Sequence, residues 1–522
     1  MATSIRKLNK STRSATTAVK NKVAKPGLKS MEQKAPRLRI RMYRHGLGDC
    51  LLLRFARPGK DTFNVLIDCG LITVARNSKK TMIDLVEDIA ATCPRLDVVA
   101  MTHEHWDHAS GFSKQQAQDI FQKIEIGEVW YAWTEDPQHE LGQRLRNERA
   151  EKVAALTQAV GALGKIANSP LAAARAEGIG NILGFFGLST AANGTQGEPI
   201  GKTRAAFEYL MKRPGIKTRF CYPDKAPISL GDVENVRAFV LGPPQNEVLI
   251  KKSAPTKSGR EVYEMATESN LTNNLTAAFA RLAGASGATN QSTEDCPFDE
   301  ALRRRAQSRA QRTQQALEIL ISETWDKPGE EWRRAEEDWT QAAETLALNL
   351  DNHTNNTCLV LAFEFTDTGE VFLFPADAQV GNWLSWQELK WKVRNGSATS
   401  EITAQELLTR TVFYKVGHHG SHNATLRALG LEQMTSEELI AFIPVVKDQA
   451  MKNRWTGMPF VPLVKRLNEK TRGRLLQSDK PPPDKADLAA LSTEAREEFL
   501  SMLTVGQNDL YFEYNFGGIV GR

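Results

Sequence analysis

The chain has 522 residues, 41 % hydrophobic and 25 % charged, enough for one core with long insertions or for two domains. No apolar run reaches the length of a membrane span, so a transmembrane channel is not expected. The net charge of +5 is uneven: residues 1–37 hold ten Lys or Arg against the single acid Glu32, while the rest carries 57 basic and 61 acidic residues.

Residues 1–37 are rich in Ser, Thr, Ala and Lys and poor in apolar groups, as in a disordered basic arm. Three readings stay open for it: a solvated tail, an electrostatic attachment to nucleic acid or an anionic surface, and an organelle transit peptide. The six cysteines (Cys50, Cys69, Cys93, Cys221, Cys296 and Cys358) form no C-x-x-C pair. That pattern fits reduced thiols in a cytoplasmic protein.

Residues 38–43 alternate basic and apolar side chains, which predicts an edge strand, and a G-L-G-D turn follows at 46–49. Residues 51–55 and 64–68 predict neighbouring strands joined across R-P-G-K at 57–60. An amphipathic helix is expected over 81–91 and an apolar strand over 96–101. The loop that leaves this strand, T-H-E-H-W-D-H-A-S-G at 102–111, concentrates His103, His105, Asp107 and His108 within six positions. His103 and His105 are two apart in an extended segment, so they share one side while Glu104 and Trp106 face the other. Imidazole and carboxylate in this density suit a divalent transition metal and leave room for a water in a catalytic site.

A strand at 127–133 precedes helical patterns over 141–167 and 171–186, where Phe185, Phe186 and Leu188 fit either a packed insertion or a lid. Strands resume at 228–244. A second insertion, about 246–350, carries charged helices from 298 and a stripe of Trp325, Trp332 and Trp339 at seven-residue spacing. A buried strand over 355–365 and its hairpin partner over 371–378 lead, through 411–416, to K-V-G-H-H-G-S at 415–421. A strand opens the C-terminal part at 439, the basic stretch from Lys447 to Arg474 offers either a solvated face or a phosphate-binding rim, and a last strand starts at 509.

H-x-H-x-D-H after a strand resembles the second motif of the metallo-β-lactamase fold hydrolases. G-L-G-D at 46–49, L-I-D-C-G at 66–70, V-L-G-P-P at 240–244, N-N-T-C-L-V-L at 355–361, F-P-A-D-A at 374–378 and K-V-G-H-H-G-S at 415–421 stand in the order of stand-alone relatives of the ComEC hydrolase domain. The resemblance covers about residues 38–125 and 225–445. It implies an α/β (α+β) fold, a four-layer αββα sandwich with large helical insertions at about 138–224 and 246–350, and a C-terminal extension, 446–522, packed on it. It also implies two divalent ions, zinc or manganese, held by His103, His105, Asp107, His108, the bridging Asp377 and one of His418 and His419. Asp49 and Asp68 are expected to support the metal loop, Lys415 and Ser421 to touch an anionic substrate, and Asp107, His418 and His419 to act in catalysis. Pro375 stands where the family has a glycine. The interval that usually carries one more histidine offers only His139 and His353, neither in a recognisable motif, so the first site is completed by water or by Asp377.

Three function classes follow. The first is a metal-dependent phosphodiesterase or nuclease, with nucleic acid engaged by the arm or the basic rim. The second is a hydrolase of a non-phosphate ester, thioester or lactam, since one metal pair serves all of these reactions. The third is a non-catalytic assembly component of the same fold. Neither composition nor motif sets the oligomeric state.

Overall fold

The computed structural model describes residues 35–72, 78–164, 170–188, 202–252, 338–395, 398–452, 455 and 457–517. The arm up to residue 34 and most of the second insertion, with Trp325 and Trp332, lie outside the described residues.

The chain is mixed α/β, built on two large sheets. The first runs in the order β16-β17-β1-β2-β3-β4-β5-β6. Its strands are β1 (Leu38–Tyr43), β2 (Leu51–Arg57), β3 (Lys60–Ile67), β4 (Arg95–Met101), β5 (Glu125–Ala132), β6 (Lys217–Cys221), β16 (Leu503–Val505) and β17 (Tyr511–Phe516). The second, in the order β15-β14-β13-β10-β9-β8-β7, comprises β7 (Ile228–Ser229), β8 (Val236–Gly242), β9 (Val360–Phe365), β10 (Val371–Phe374), β13 (Thr411–Lys415), β14 (Ile440–Ile443) and β15 (Leu475–Gln477). A separate hairpin pairs β11 (Lys390–Asn395) with β12 (Ala398–Thr403).

Alternation along the strands sorts side chains between faces. Leu51, Leu53 and Phe55 join Phe363, Phe372, Phe374 and Phe413 in a core shared by both sheets. Leu52, between them in sequence, faces the opposite way and packs with Leu85, Val86 and Ile89 of α1 (Ser78–Thr92). On the far side of the second sheet, Phe239, Val360, Ala362 and Tyr414 pack with residues of α2 (Glu140–Leu163), α3 (Pro170–Gly184) and α5 (Asp338–Asn355). α4 (Lys202–Lys212) instead covers the first sheet through Phe207 and Leu210.

Three expectations change. Residues 38–43 are an interior strand, because β17 returns from the C-terminus to pair along their full length. Of their two basic groups, Arg41 is neutralised inside the fold, where it pairs with Asp88 at 2.6 Å and Glu513 at 2.7 Å. The first insertion is not wholly helical, since β6 adds to the edge of the first sheet beside β5. The segment after 446 is not an appendage, since it supplies β15 to the second sheet and β16 and β17 to the first.

The five described cysteines are buried and free. Among the described residues no helix is long and apolar enough to cross a membrane.

Candidate metal centre

The site forms where strands β3, β4, β10 and β13 end, each releasing a loop from its carboxyl end. β3 delivers Asp68, β4 delivers Thr102 and His103, β10 delivers Asp377 and β13 delivers Lys415, His418 and His419; Asp49 arrives from the β1–β2 loop. His103 and His105 flank a bend at Glu104, where His105 N donates to His103 O at 3.0 Å, and Asp107 and His108 follow in one helical turn, Trp106–Ala109. Glu104 turns the other way, as the period-two reading expects, and meets Arg149 at 2.6 Å and Arg204 at 3.1 Å.

Backbone hydrogen bonds fasten three of these loops together: Asp49 N donates to Asp107 O, Cys69 N to His108 O and Gly70 N to Asp49 O, all at 2.9–3.0 Å. Gly48, at φ +153°, and Gly70 make this approach possible. A Cβ on Gly70 would lie 2.2 Å from the carbonyl carbon of Asp107. The sequence motif therefore needs its glycines for contact between main chains, not only for turning.

Asp49, His108, Asp377 and His419 bring one ligand atom each to within 4.8 Å of one another, and all four residues are buried. His108 Nε2 is 3.2 Å from Asp377 Oδ2, and His419 Nε2 is 3.0 Å from Asp107 Oδ2 and 3.5 Å from Asp377 Oδ2. The His103 ring lies 4.2 Å from that of His108, and His103 Nε2 is 2.9 Å from His105 Nδ1.

The outer nitrogens set the tautomers. His108 Nδ1 donates to Asp68 Oδ2 at 2.7 Å, and His419 Nδ1 donates to Pro444 O at 2.7 Å. Thr102 Oγ1 gives its proton to Asp68 Oδ2 at 2.6 Å, so it accepts from His103 Nδ1 at 3.1 Å. Each of these three rings thus turns Nε2 toward the cluster. Asp49 Oδ1, Asp107 Oδ1 and His108 Nε2 are buried without a hydrogen-bond partner. Unsatisfied buried groups are costly, and a divalent cation among inward imidazole and carboxylate atoms is the partner this donor set suits. The residues present therefore fit a metal.

Electrostatics points the same way. Four carboxylates, of Asp49, Asp68, Asp107 and Asp377, share this buried space with the single ammonium of Lys415. Burial opposes charge on His108, yet Asp377 and Asp107 raise its pKa well above the ordinary histidine range. His419 is likewise raised against burial by Asp377 and by its hydrogen bond to Asp107. Burial disfavours the charge of Asp377 too, but His108, His419 and Lys415 hold its carboxyl well below the usual range. Burial and the neighbouring imidazoles His108 and His105 push His103 well down, and burial lowers His105 to about 3.

Backbone strain collects here. Asp68 (φ 54°), Ala376 (φ 49°), His418 (φ 41°) and His419 (φ 51°) all occupy the left-handed region without being glycine. Each such position costs about 1–3 kcal/mol, and strain of this kind clusters at ligand sites.

The structure separates the two adjacent histidines. His419 faces the cluster, whereas His418 Nδ1 is engaged by Ser421 Oγ at 3.0 Å and Gln379 Nε2 at 3.3 Å, and burial lowers its pKa to about 4. Asp68 stands behind His108, while Asp49, expected only as a support, enters the cluster itself. Lys415, expected to touch substrate, is 1 % exposed: its ammonium lies against Asp49 and 3.3 Å from Asp377 Oδ1, because the charge of a buried lysine must be paired. Ser421 is also buried and donates to Asn423 at 2.8 Å.

His139 caps α2, and His353 lies in α5; neither is in the cluster of close ligand atoms. The residue from that interval that does approach is Asp351, whose Oδ1 is 3.9 Å from His105 Nε2. No sequence signal marked it, because an acid on a helix in an unmatched insertion reads as a solvated face.

In the basic stretch, Arg466 pairs with Glu432 and Glu469, Arg472 with Glu437, and the Arg474 guanidinium donates to the carbonyls of Thr471 and Glu437. Arg474 is buried, whereas the Arg466 and Arg472 side chains stay 42 % and 40 % exposed and pair with acids at the surface.

Compared with known proteins, the chain matches no family model and no curated protein.

Proposed function

We propose that this chain is a metal-dependent hydrolase acting on a phosphodiester, with the four-layer αββα sandwich of the metallo-β-lactamase fold. The observation that supports this most is the inward convergence of imidazole and carboxylate atoms from the ends of both sheets, with the opposite nitrogens of His103, His108 and His419 tied to acceptors. A pair of divalent ions in such a cluster supplies Lewis acidity and a water that is nucleophilic near neutral pH.

The chain's own residues have separable roles. His103, His105, Asp107, His108, Asp377 and His419 would hold the ions. Asp68 fixes the His108 tautomer and, through Thr102, that of His103. Lys415 pins Asp377 from behind and offsets part of the local negative charge. His418, neutral at pH 7 and held by Ser421, orients a hydrogen bond at the edge of the cluster rather than carrying charge.

A second reading, hydrolysis of a non-phosphate ester or thioester, is open to the same ion pair and is favoured by the pairing of Arg466 and Arg472 with surface acids and the burial of Arg474, which leave less unpaired positive charge for a polyanion in this stretch. Metal analysis of the purified protein, with turnover of bis-p-nitrophenyl phosphate, single-stranded DNA, RNA and a thioester, tests both. Bound zinc or manganese and diester cleavage lost in Asp107→Ala are expected. Thioester turnover alone would favour the second reading, and a protein that neither binds metal nor hydrolyses any substrate would exclude both.

A further inference from the structure

His105 stands apart from the other imidazoles of the site. Its ring is fixed by stacking on Phe185, with centroids 5.2 Å apart and planes at 26°, and by an edge contact with Phe186 at 5.0 Å. Its Nδ1 faces His103 Nε2, so its Nε2 points out of the cluster toward α5. There it meets Asp351 Oδ1 at 3.9 Å. Neither atom has a hydrogen-bond partner and neither touches solvent, although the Asp351 side chain as a whole is 15 % exposed.

We infer that Asp351 is the positioning carboxylate of His105: it accepts the Nε2 proton and holds the ring in the tautomer whose Nδ1 lone pair faces His103. This rests on the metal reading of the cluster. That tautomer is the one a shared cation requires: His103 Nε2 and His105 Nδ1, 2.9 Å apart, would then both turn lone pairs to the ion, which leaves the His105 proton on Nε2, facing Asp351. The favoured tautomer needs the pair to close by about 0.9 Å to reach an ordinary N–H···O distance of about 3.0 Å. It also repeats the pattern of Thr102 behind His103, Asp68 behind His108 and the Pro444 carbonyl behind His419. Outer acceptors of this kind fix ring orientation and raise ligand basicity.

The inference gives both insertions a role. Phe185 and Phe186 follow α3 in the first, and Asp351 lies in α5, where the second ends. α5 packs on α2 and α3, so the two insertions clamp His105 together. A histidine-rich loop on strand β4 alone would leave that ring free to rotate.

The test uses the full-length protein as wild type, Asp351→Ala and Asp351→Asn. Cobalt is titrated and followed by its visible absorption, and the imidazole tautomers of the zinc-loaded protein are read by long-range proton–nitrogen NMR. Wild type should bind two equivalents with His105 protonated on Nε2. Asp351→Ala should bind one of the two about 10–100-fold more weakly and leave the other unchanged. Asp351→Asn, which keeps an acceptor oxygen, should recover most of the loss. Two equivalents bound by Asp351→Ala at wild-type affinity, or His105 protonated on Nδ1, would overturn the inference while leaving the metal centre standing. Wild-type protein that takes up no cobalt would instead remove the metal reading itself. Thermal melts of the metal-free variants separate a folding defect from a binding one, and the tautomer measurement on wild type is independent of either.

Discussion

Replacing Gly70 by alanine should empty the proposed metal centre without replacing any of its candidate ligands. The added Cβ would stand 2.2 Å from the carbonyl carbon of Asp107 and 2.3 Å from the nitrogen of His108, where ordinary contact begins at 3.4 Å. The loop carrying both ligands must therefore retreat by about 1.2 Å, whereas metal–ligand distances tolerate about 0.2 Å. Overpacking of this kind costs about 1–3 kcal/mol, a fall of roughly 1–3 °C in Tm when the unfolding entropy is scaled to this chain length, so the fold should survive. Turnover should fall by about 100-fold or more, as a 1 Å misplacement does in other sites. Gly161→Ala is the control, because a Cβ there meets nothing within 4 Å. Metal content after gel filtration, read by mass spectrometry beside a calorimetric melt, decides the matter. Full metal occupancy in Gly70→Ala at unchanged affinity would refute the argument that main-chain contact between these loops sets the ligand geometry.

Other outcomes follow from the same contacts. Glu135→Ala removes a buried carboxylate that pairs with Arg204 at 2.5 Å and lies 3.7 Å from Arg149, with Glu104 left as their shared partner; urea unfolding should show a loss of about 3 kcal/mol, and a loss under about 1 kcal/mol would mean the network is not coupled. Zinc binding should release protons and weaken as pH falls through neutrality, because His108 and His419 titrate above the ordinary histidine range and must lose a proton to become ligands; calorimetry in buffers of different ionisation enthalpy reads this, and a pH-independent affinity would contradict it. Deleting residues 1–36, a net charge of +8, should leave hydrolysis of a small diester unchanged and flatten the salt dependence of DNA binding; equal slopes would make the arm a passive tail.

The parts of the site that sequence disclosed are those carried by local pattern. The period of two placed His103 and His105 on one side and Glu104 on the other, and the strand-then-loop grammar placed Asp68, Asp377 and the His418–His419 pair at strand ends. What sequence could not disclose depends on contacts between distant segments. β1 looked like an edge because its interior partner, β17, lies more than 450 residues away. Lys415 looked available to substrate because nothing local shows that Asp49 and Asp377 enclose it. His418 and His419 are equivalent by spacing, and only the left-handed backbone at both residues sends one ring to the cluster and the other to Ser421. Asp351 was invisible for the same reason: its role depends on how α5 docks.

Three independent costs fall on one small region, and together they argue for a bound cation more strongly than any ligand distance does. Four left-handed non-glycine residues carry about 1–3 kcal/mol of strain each. Four buried carboxylates share one lysine, and two of their oxygens, Asp49 Oδ1 and Asp107 Oδ1, lack hydrogen-bond partners, as does His108 Nε2. Each defect could be removed by a common substitution: glycine at 418, asparagine at 107, a hydrophobic residue at 49. A region selected only to fold would gain stability from such changes. A ligand that binds only the folded state stabilises it by RT ln(1 + [L]/Kd), about 4 kcal/mol at a thousandfold excess over Kd, which offsets the low end of the strain, and tighter binding offsets more. The candidate metal loops are thus stable in proportion to what they hold, and the metal-free protein should melt first at these strand ends.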